Sequence, residues 1–174
     1  MNETIPRLIR RYSRTGVLID TNILLLYFVG SFARDLIPKF KPTQKFVVED
    51  YQMLLRLIGR FRKRITTPNI LTEVSNLSGQ LDESIHSAYF GKFAEHLTLL
   101  DEHYVKSHEV IKHQHFPRFG LTDAGIFTVV KGKYLVLTDD FRLSQSLQKE
   151  EIACINFNHI RLLGWSDWWH ESSI

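Results

Sequence analysis

The sequence predicts an α/β fold built on a central parallel sheet, and three observations carry that prediction. Short apolar runs, too brief for helices, alternate with longer segments whose apolar residues recur at spacings of three and four. Several of these runs end directly on polar or acidic residues, as strands do where they hand over to helices. No internal repeat, low-complexity tract or divisive linker interrupts the 174 residues, so a single core is expected.

Val17, Leu18 and Ile19 form the first strand, which ends at Asp20, and Asn22 is positioned to cap a helix through Ile23 to Phe28. Ser31 to Lys45 carries Pro38 and Pro42 among Arg34, Lys39, Lys41 and Lys45, and reads as a mobile loop. From Phe46 to Phe61, apolar residues at Phe46, Val47, Met53, Leu54, Leu57, Ile58 and Phe61 describe an amphipathic helix. Arg64 to Thr67 is a second strand. Pro68 then suits the first position of a helix capped by Thr67, which carries Glu73 and stops near Gly79. Asp82 to Asp101 is helical, striped by Ile85, Tyr89, Phe93, Leu97 and Leu100. His103 to Phe119 is polar, and Thr122 is placed to cap a helix running to about Val130. Tyr134 to Thr138 is a strand, Asp140 to Lys149 a helix, and Ile152 to Asn156 the last strand. In such sheets ligands collect outside the carboxyl ends of the strands.

Composition narrows the class further. With 44% hydrophobic and 24% charged residues, the chain is neither disordered nor a disulfide scaffold. A chain of this length buries roughly 70% of its unfolded surface, so any metal is more plausibly functional than structural. A net charge of +3 and a pI near 9.0 permit a polyanionic partner without demanding one. Cys154, the one cysteine, has apolar flanks and reads as a buried thiol. The apolar runs fall short of the roughly 20 residues a membrane span needs, and Asp20 breaks the stretch that follows the N-terminal arginines, so a cytoplasmic location is expected.

The chemistry lies in the acids. Asp20 and Asp140 follow strands directly, Glu73 lies on the helix after the second strand, and Asp123 opens the helix after Gly120. Carboxylates gathered at one rim repel one another and retain protons unless a cation compensates. A hard divalent ion, Mg²⁺ or Mn²⁺, takes oxygen ligands and keeps waters, which suits hydrolysis of a phosphodiester.

These segments resemble a known family. VLIDTN at Val17 to Asn22 looks like the opening strand of a PIN domain, the nuclease fold that includes the VapC toxins. TPNILTEVSN at Thr67 to Asn76, LTDAGI at Leu121 to Ile126 and YLVLTDDFRL at Tyr134 to Leu143 resemble the other acidic segments, in order. The resemblance covers roughly Val17 to Leu163. It implies a three-layer α/β/α fold and a Mg²⁺- or Mn²⁺-dependent endoribonuclease, with the toxin of a toxin-antitoxin pair as one form. It implies catalytic and metal-ligating roles for Asp20, Glu73, Asp123 and Asp140, with Asp139 as an adjacent ligand and Asn22 and Thr138 as supports. Expected partners are RNA, a cognate antitoxin and a second copy of the chain, with no membrane. The single domain then has a core of about 17–163, a basic segment at 1–16 and a Trp-rich tail at 164–174. The longer reach between Asp20 and Glu73, residues 31–64, departs from a compact toxin.

Two other classes compete. One is a PIN-like protein- or RNA-binding module without strong catalysis. The other is a phosphate-transferring hydrolase of the haloacid dehalogenase type, which expects an Asp where Asn22 stands. The remaining features read more plainly. Arg56, Arg60, Arg62, Lys63 and Arg64 suit either phosphate contacts or a solvated face. His103, His108, His113 and His115 lack a zinc spacing and read as polar surface. Trp165, Trp168 and Trp169 read as anchors for the tail or for a partner subunit.

Overall fold

The structure, a computed structural model, describes residues 4–162. Strands β1 (Val17–Ile19), β2 (Arg64–Thr66), β3 (Asp101–Glu102), β4 (Leu135–Thr138) and β5 (Cys154–Asn156) form one all-parallel sheet in the order β3-β2-β1-β4-β5. Val17 lies opposite Arg64 on one side and Leu135 on the other, which makes β1 central. Every residue of β1 and β4 is buried, as strands covered on both faces must be. The protein is therefore an α/β fold compatible with three α/β/α layers.

β3 is a strand that the sequence reading lacked. It consists of Asp101 and Glu102 only, both exposed at the sheet edge, so it has neither an apolar run nor a period to detect. A short, charged edge strand also discourages pairing with other chains. From β1 the chain builds outward through β2 and β3, then returns to the opposite side for β4 and β5. The order reverses between β1 and β4, and at such a switch point sheets of this kind bind ligands in a crevice outside the carboxyl ends of the strands.

The helices are α1 (Ile5–Tyr12), α2 (Thr21–Phe32), α3 (Val48–Ile58), α4 (Pro68–Ser78), α5 (Glu83–Leu97), α6 (Ser107–Val110), α7 (Phe116–Val130) and α8 (Phe141–Lys149). α2 is buried continuously from Ile23 to Gly30 and packs against α3, α4 and α5, as a helix apolar all round should. At Gly30 a β-carbon would run into the Tyr51 ring, so the missing side chain allows α3 to close on α2. Thr67 caps α4 by accepting from the Ile70 amide at 3.3 Å, with Pro68 in the first turn, as the sequence indicated.

Three local expectations are corrected. Asp20, not Asn22, caps α2, because its carboxylate accepts from the Thr21 amide at 2.7 Å. Thr122 does not cap α7; the turn is made by Gly120 at φ +72°, which leaves the Thr122 hydroxyl available elsewhere. The segment read as a mobile loop is packed. α2 extends to Phe32, two short 3-10 turns follow at Arg34–Leu36 and Lys41–Thr43, and Ile37, Phe40 and Phe46 are buried in the core. The Thr43 hydroxyl ties the turns together by donating to the carbonyls of Ile37 at 2.9 Å and Phe40 at 3.2 Å. Pro38 and Pro42 prevent a long helix without preventing burial.

α1 sends Leu8 and Tyr12 into the core, so much of the basic N-terminal segment is docked. The Arg62 amide donates to the Ser13 carbonyl at 2.7 Å, so the chain leaving α1 and the basic run before β2 meet at the amino end of the sheet. Among the described residues no helix is long and apolar enough to cross a membrane.

Candidate functional site

β1 and β4 are neighbours, so the residues that follow them share the crevice. Asp20 is buried, and both of its oxygens are engaged. One accepts from the Thr21 amide, and the other accepts from the Thr138 hydroxyl at 2.5 Å. Thr138 also accepts from the Asp140 amide at 3.0 Å, so one hydroxyl spans the two strand ends. Asp140 caps α8, accepting from the amides of Arg142 at 2.6 Å and Leu143 at 3.0 Å through a single oxygen. The helix N-terminus favours its negative charge.

Glu73 reaches the site from α4 and is held from two sides. The Thr21 hydroxyl donates to one oxygen at 2.9 Å and the Thr122 hydroxyl to the other at 2.6 Å. Each donor adjoins another acid, Thr21 following Asp20 and Thr122 preceding Asp123. Three helices, α2, α4 and α7, thus converge on one carboxylate.

Electrostatics links these acids independently of hydrogen bonds. Burial pushes Asp20 up to about 6, against the Thr138 and Thr21 hydrogen bonds and with the charges of Asp139 and Asp140 adding to the rise. Half-buried Asp123 is pushed up to about 7, first by burial and then by the charges of Asp20, Glu73 and Asp140. Asp123 therefore lies in the field of the other three. Among the described residues no ion pair reaches Asp20 or Asp123.

Asp139 is in a different situation. It is buried, one oxygen accepting from the Asn22 amide group at 3.1 Å while the other pairs with the Lys45 ammonium. Asn158 donates to its backbone carbonyl at 2.9 Å. Lys45 comes from the packed 33–47 segment, whose end is fixed by Arg161. That guanidinium donates to the Lys45 carbonyl and to Asp50, both at 2.9 Å.

Sequence reasoning left Thr21, Thr122 and Lys45 out of the site. The two threonines could have been suspected as the polar neighbours of Asp20 and Asp123. Nothing local marks Lys45 apart from Lys39 or Lys41, because its role arises from where the turns deliver it. Asn158 carried no signal at all.

The remaining candidates lie elsewhere. The basic run Arg62 to Arg64 enters β2 at the amino end of the sheet, opposite the acids. His113 and His115 gather near Glu150 at the far end of α8 from Asp140, with His115 Nε2 at 2.7 Å. His103 Nε2 is 3.3 Å from the Tyr134 hydroxyl. Cys154 is buried, and burial drives its thiol pKa upward, so it is inert. Trp165, Trp168 and Trp169 lie outside the described residues.

The donor set at the crevice consists of carboxylates, hydroxyls and amides. Among the described residues no three Asp, Glu, His or Cys side chains are drawn tightly enough together to chelate one ion. An all-oxygen rim of separated carboxylates fits an ion held by one or two carboxylates through a retained water shell, which describes Mg²⁺ or Mn²⁺ and not zinc. In comparisons with known proteins, no family model, curated protein or solved structure matches the chain.

Proposed function

We propose that the protein is a Mg²⁺- or Mn²⁺-dependent endoribonuclease of PIN type, with the crevice over β1 and β4 as its active site. The observation that carries this reading is the convergence of Asp20, Glu73, Asp123 and Asp140 at one end of the sheet, where burial first and neighbouring carboxylates second raise Asp20 to about 6 and Asp123 to about 7. Acids so arranged at a switch point favour a divalent ion over a proton near neutral pH. Of Asp20, Glu73, Asp123 and Asp140, one or two would hold the ion directly and the others through its water shell. A bound ion there supplies Lewis acidity, easing loss of a proton from water and offsetting charge on the leaving oxygen.

The chain's own groups do the positioning. Thr138 fixes the Asp20 carboxylate and the Asp140 backbone together. Thr21 and Thr122 hold both Glu73 oxygens, which prevents the long side chain from swinging away. Asp139, with both oxygens occupied, pairs with Lys45, which offsets the Asp139 charge within the chain. A cognate antitoxin and self-association are proposed on the family resemblance alone.

The test is incubation of a mixed RNA pool with purified protein in Mg²⁺, Mn²⁺ or chelator, beside an Asp20→Asn, Asp123→Asn double variant checked for folding by circular dichroism. Metal-dependent cutting that the folded variant lacks supports the proposal. Equal cutting by both, or cutting in chelator, refutes it, and an uncut pool shifts weight to a binding module.

A further inference from the structure

The amino end of the sheet carries charge of the opposite sign to the acid crevice. The segments that lead into its three inner strands, 4–16 before β1, 56–64 before β2 and 131–134 before β4, contain no Asp or Glu. They deliver Arg14, Arg62, Lys63, Lys131 and Lys133, all exposed. Backbone contacts bring the segments together. The Arg62 amide donates to the Ser13 carbonyl at 2.7 Å, the Val17 amide to the Lys63 carbonyl at 3.0 Å and the Leu135 amide to the Gly16 carbonyl at 3.2 Å. Gly16, at φ +124°, allows the closest approach, because a β-carbon there would lie 2.9 Å from that of Lys63. Acids stand at the two margins of this end, Asp101 in edge strand β3 and Glu150 with Glu151 before edge strand β5. Among the described residues no ion pair reaches any of the five cations, whereas Lys45 and Arg161 both have carboxylate partners.

Neighbouring strands lie about 4.8 Å apart, so three strand entries spread these cations over about 10 Å. A double helix carries one charge per about 1.7 Å of its axis and presents several phosphates across that span. Among the described residues none of the exposed large apolar side chains falls in the three segments. That selects the partner. An unpaired strand needs an exposed ring on which to stack, a membrane an apolar group to insert beside the basic ones, and a protein an apolar centre. A double helix needs none of these, since its bases are stowed inside and its backbone is held by charge alone.

We propose that the amino end of the sheet is a docking surface for the phosphate backbone of a nucleic-acid double helix, an RNA stem or a DNA duplex, held by Arg14, Arg62, Lys63, Lys131 and Lys133. The surface is separate from the acid crevice and stands whether or not that crevice cuts RNA.

The experiment follows fluorescence anisotropy of RNA and DNA duplexes of about 16 base pairs with the full chain, in chelator, between about 50 and 200 mM salt. At least one duplex should bind, and its affinity should fall steeply with salt; comparison of the two identifies the source of the backbone. An Arg14→Gln, Lys63→Gln double variant should weaken binding about 10-fold at the lowest salt and lower the logarithmic salt slope by about 2. A Lys106→Gln, Arg142→Gln double variant removes the same charge beyond the carboxyl ends of β3 and β4 and should lose far less. All four side chains are exposed, and circular dichroism checks both folds. No binding of either duplex, equal losses in the two variants, tighter binding of a single strand, or capture by phosphatidylserine vesicles in place of the duplex overturns the surface. If the wild type still cuts RNA with metal in those cases, only the docking surface fails.

Discussion

Two corners of one rim treat buried acids differently. In the first, Asp139 pairs with Lys45, and Asp50 accepts from the Arg161 guanidinium at 2.9 Å while also capping α3 through the Val47 amide at 2.9 Å. In the second, a few residues away, Asp20 and Asp123 have hydroxyls, amides or one another as neighbours, and burial holds their pKa values near 6 and 7. The first corner completes its own charge balance and fastens the 33–47 segment and the C-terminal helical residues 157–162 together. The second is built at a stability cost that a cation from outside would relieve. The two corners do not differ in residue type; they differ in whether a partner cation lies within the chain.

The sharpest way to break the comparison is to neutralise one acid of the second corner. Asp20→Asn keeps a capping side chain for α2, so the fold should survive. Metal-dependent RNA cutting should fall by more than about 100-fold, since loss of even a supporting group around a metal costs up to about that much. The corresponding change in the first corner, Asp50→Ala, should act on stability instead. It removes the carboxylate partner of Arg161 and of the Val47 amide before α3, and urea unfolding should show a loss of about 2–4 kcal/mol, with cutting per folded molecule retained.

The third prediction concerns pH. In the unfolded chain these acids ionise near 3.8, whereas Asp20 and Asp123 in the fold ionise near 6 and 7. Between those limits the folded state binds more protons, so their contribution favours folding at low pH, declines as pH rises from about 4 to 7, and is level above. In chelator, Asp20→Asn should therefore be more stable than wild type at pH 8 by about 1–3 kcal/mol and similar to it at pH 4, as calorimetry at the two pH values would show. An equal difference at both would refute the uncompensated charge. The smallest effect belongs to Lys39, whose pair with Asp35 at 3.2 Å is exposed on both sides. Lys39→Ala should change stability by less than about 0.5 kcal/mol and leave cutting intact, unlike its loop neighbour Lys45.

Much of this arrangement was legible in the sequence. β1 and β4 read clearly because strands buried on both faces are continuous apolar runs, and Thr67-Pro68 announced α4 through its capping chemistry. Asp20 and Asp140 were legible as acids following strand ends and Glu73 as an acid on the helix after β2, while Asp123 was read only from the helix start after Gly120. β3 was not, since two exposed acidic residues pair by position in the sheet and not by their own preference. The packing of residues 33–47 was hidden because Ile37, Phe40 and Phe46 have no regular period, and the prolines spoke only of lost helix. Thr21 and Thr122 joined Glu73 through contacts spanning 52 and 49 residues, which no local pattern encodes.

The most direct measurement is a Mn²⁺ titration followed by electron paramagnetic resonance, where uptake removes the free-ion signal. Wild-type protein at pH 7.5 should take up Mn²⁺ and release it as pH falls below 6, while the folded Asp20→Asn, Asp123→Asn variant should leave the ion free. Equal uptake by both proteins, or none by the wild type, would contradict a divalent site at the crevice over β1 and β4.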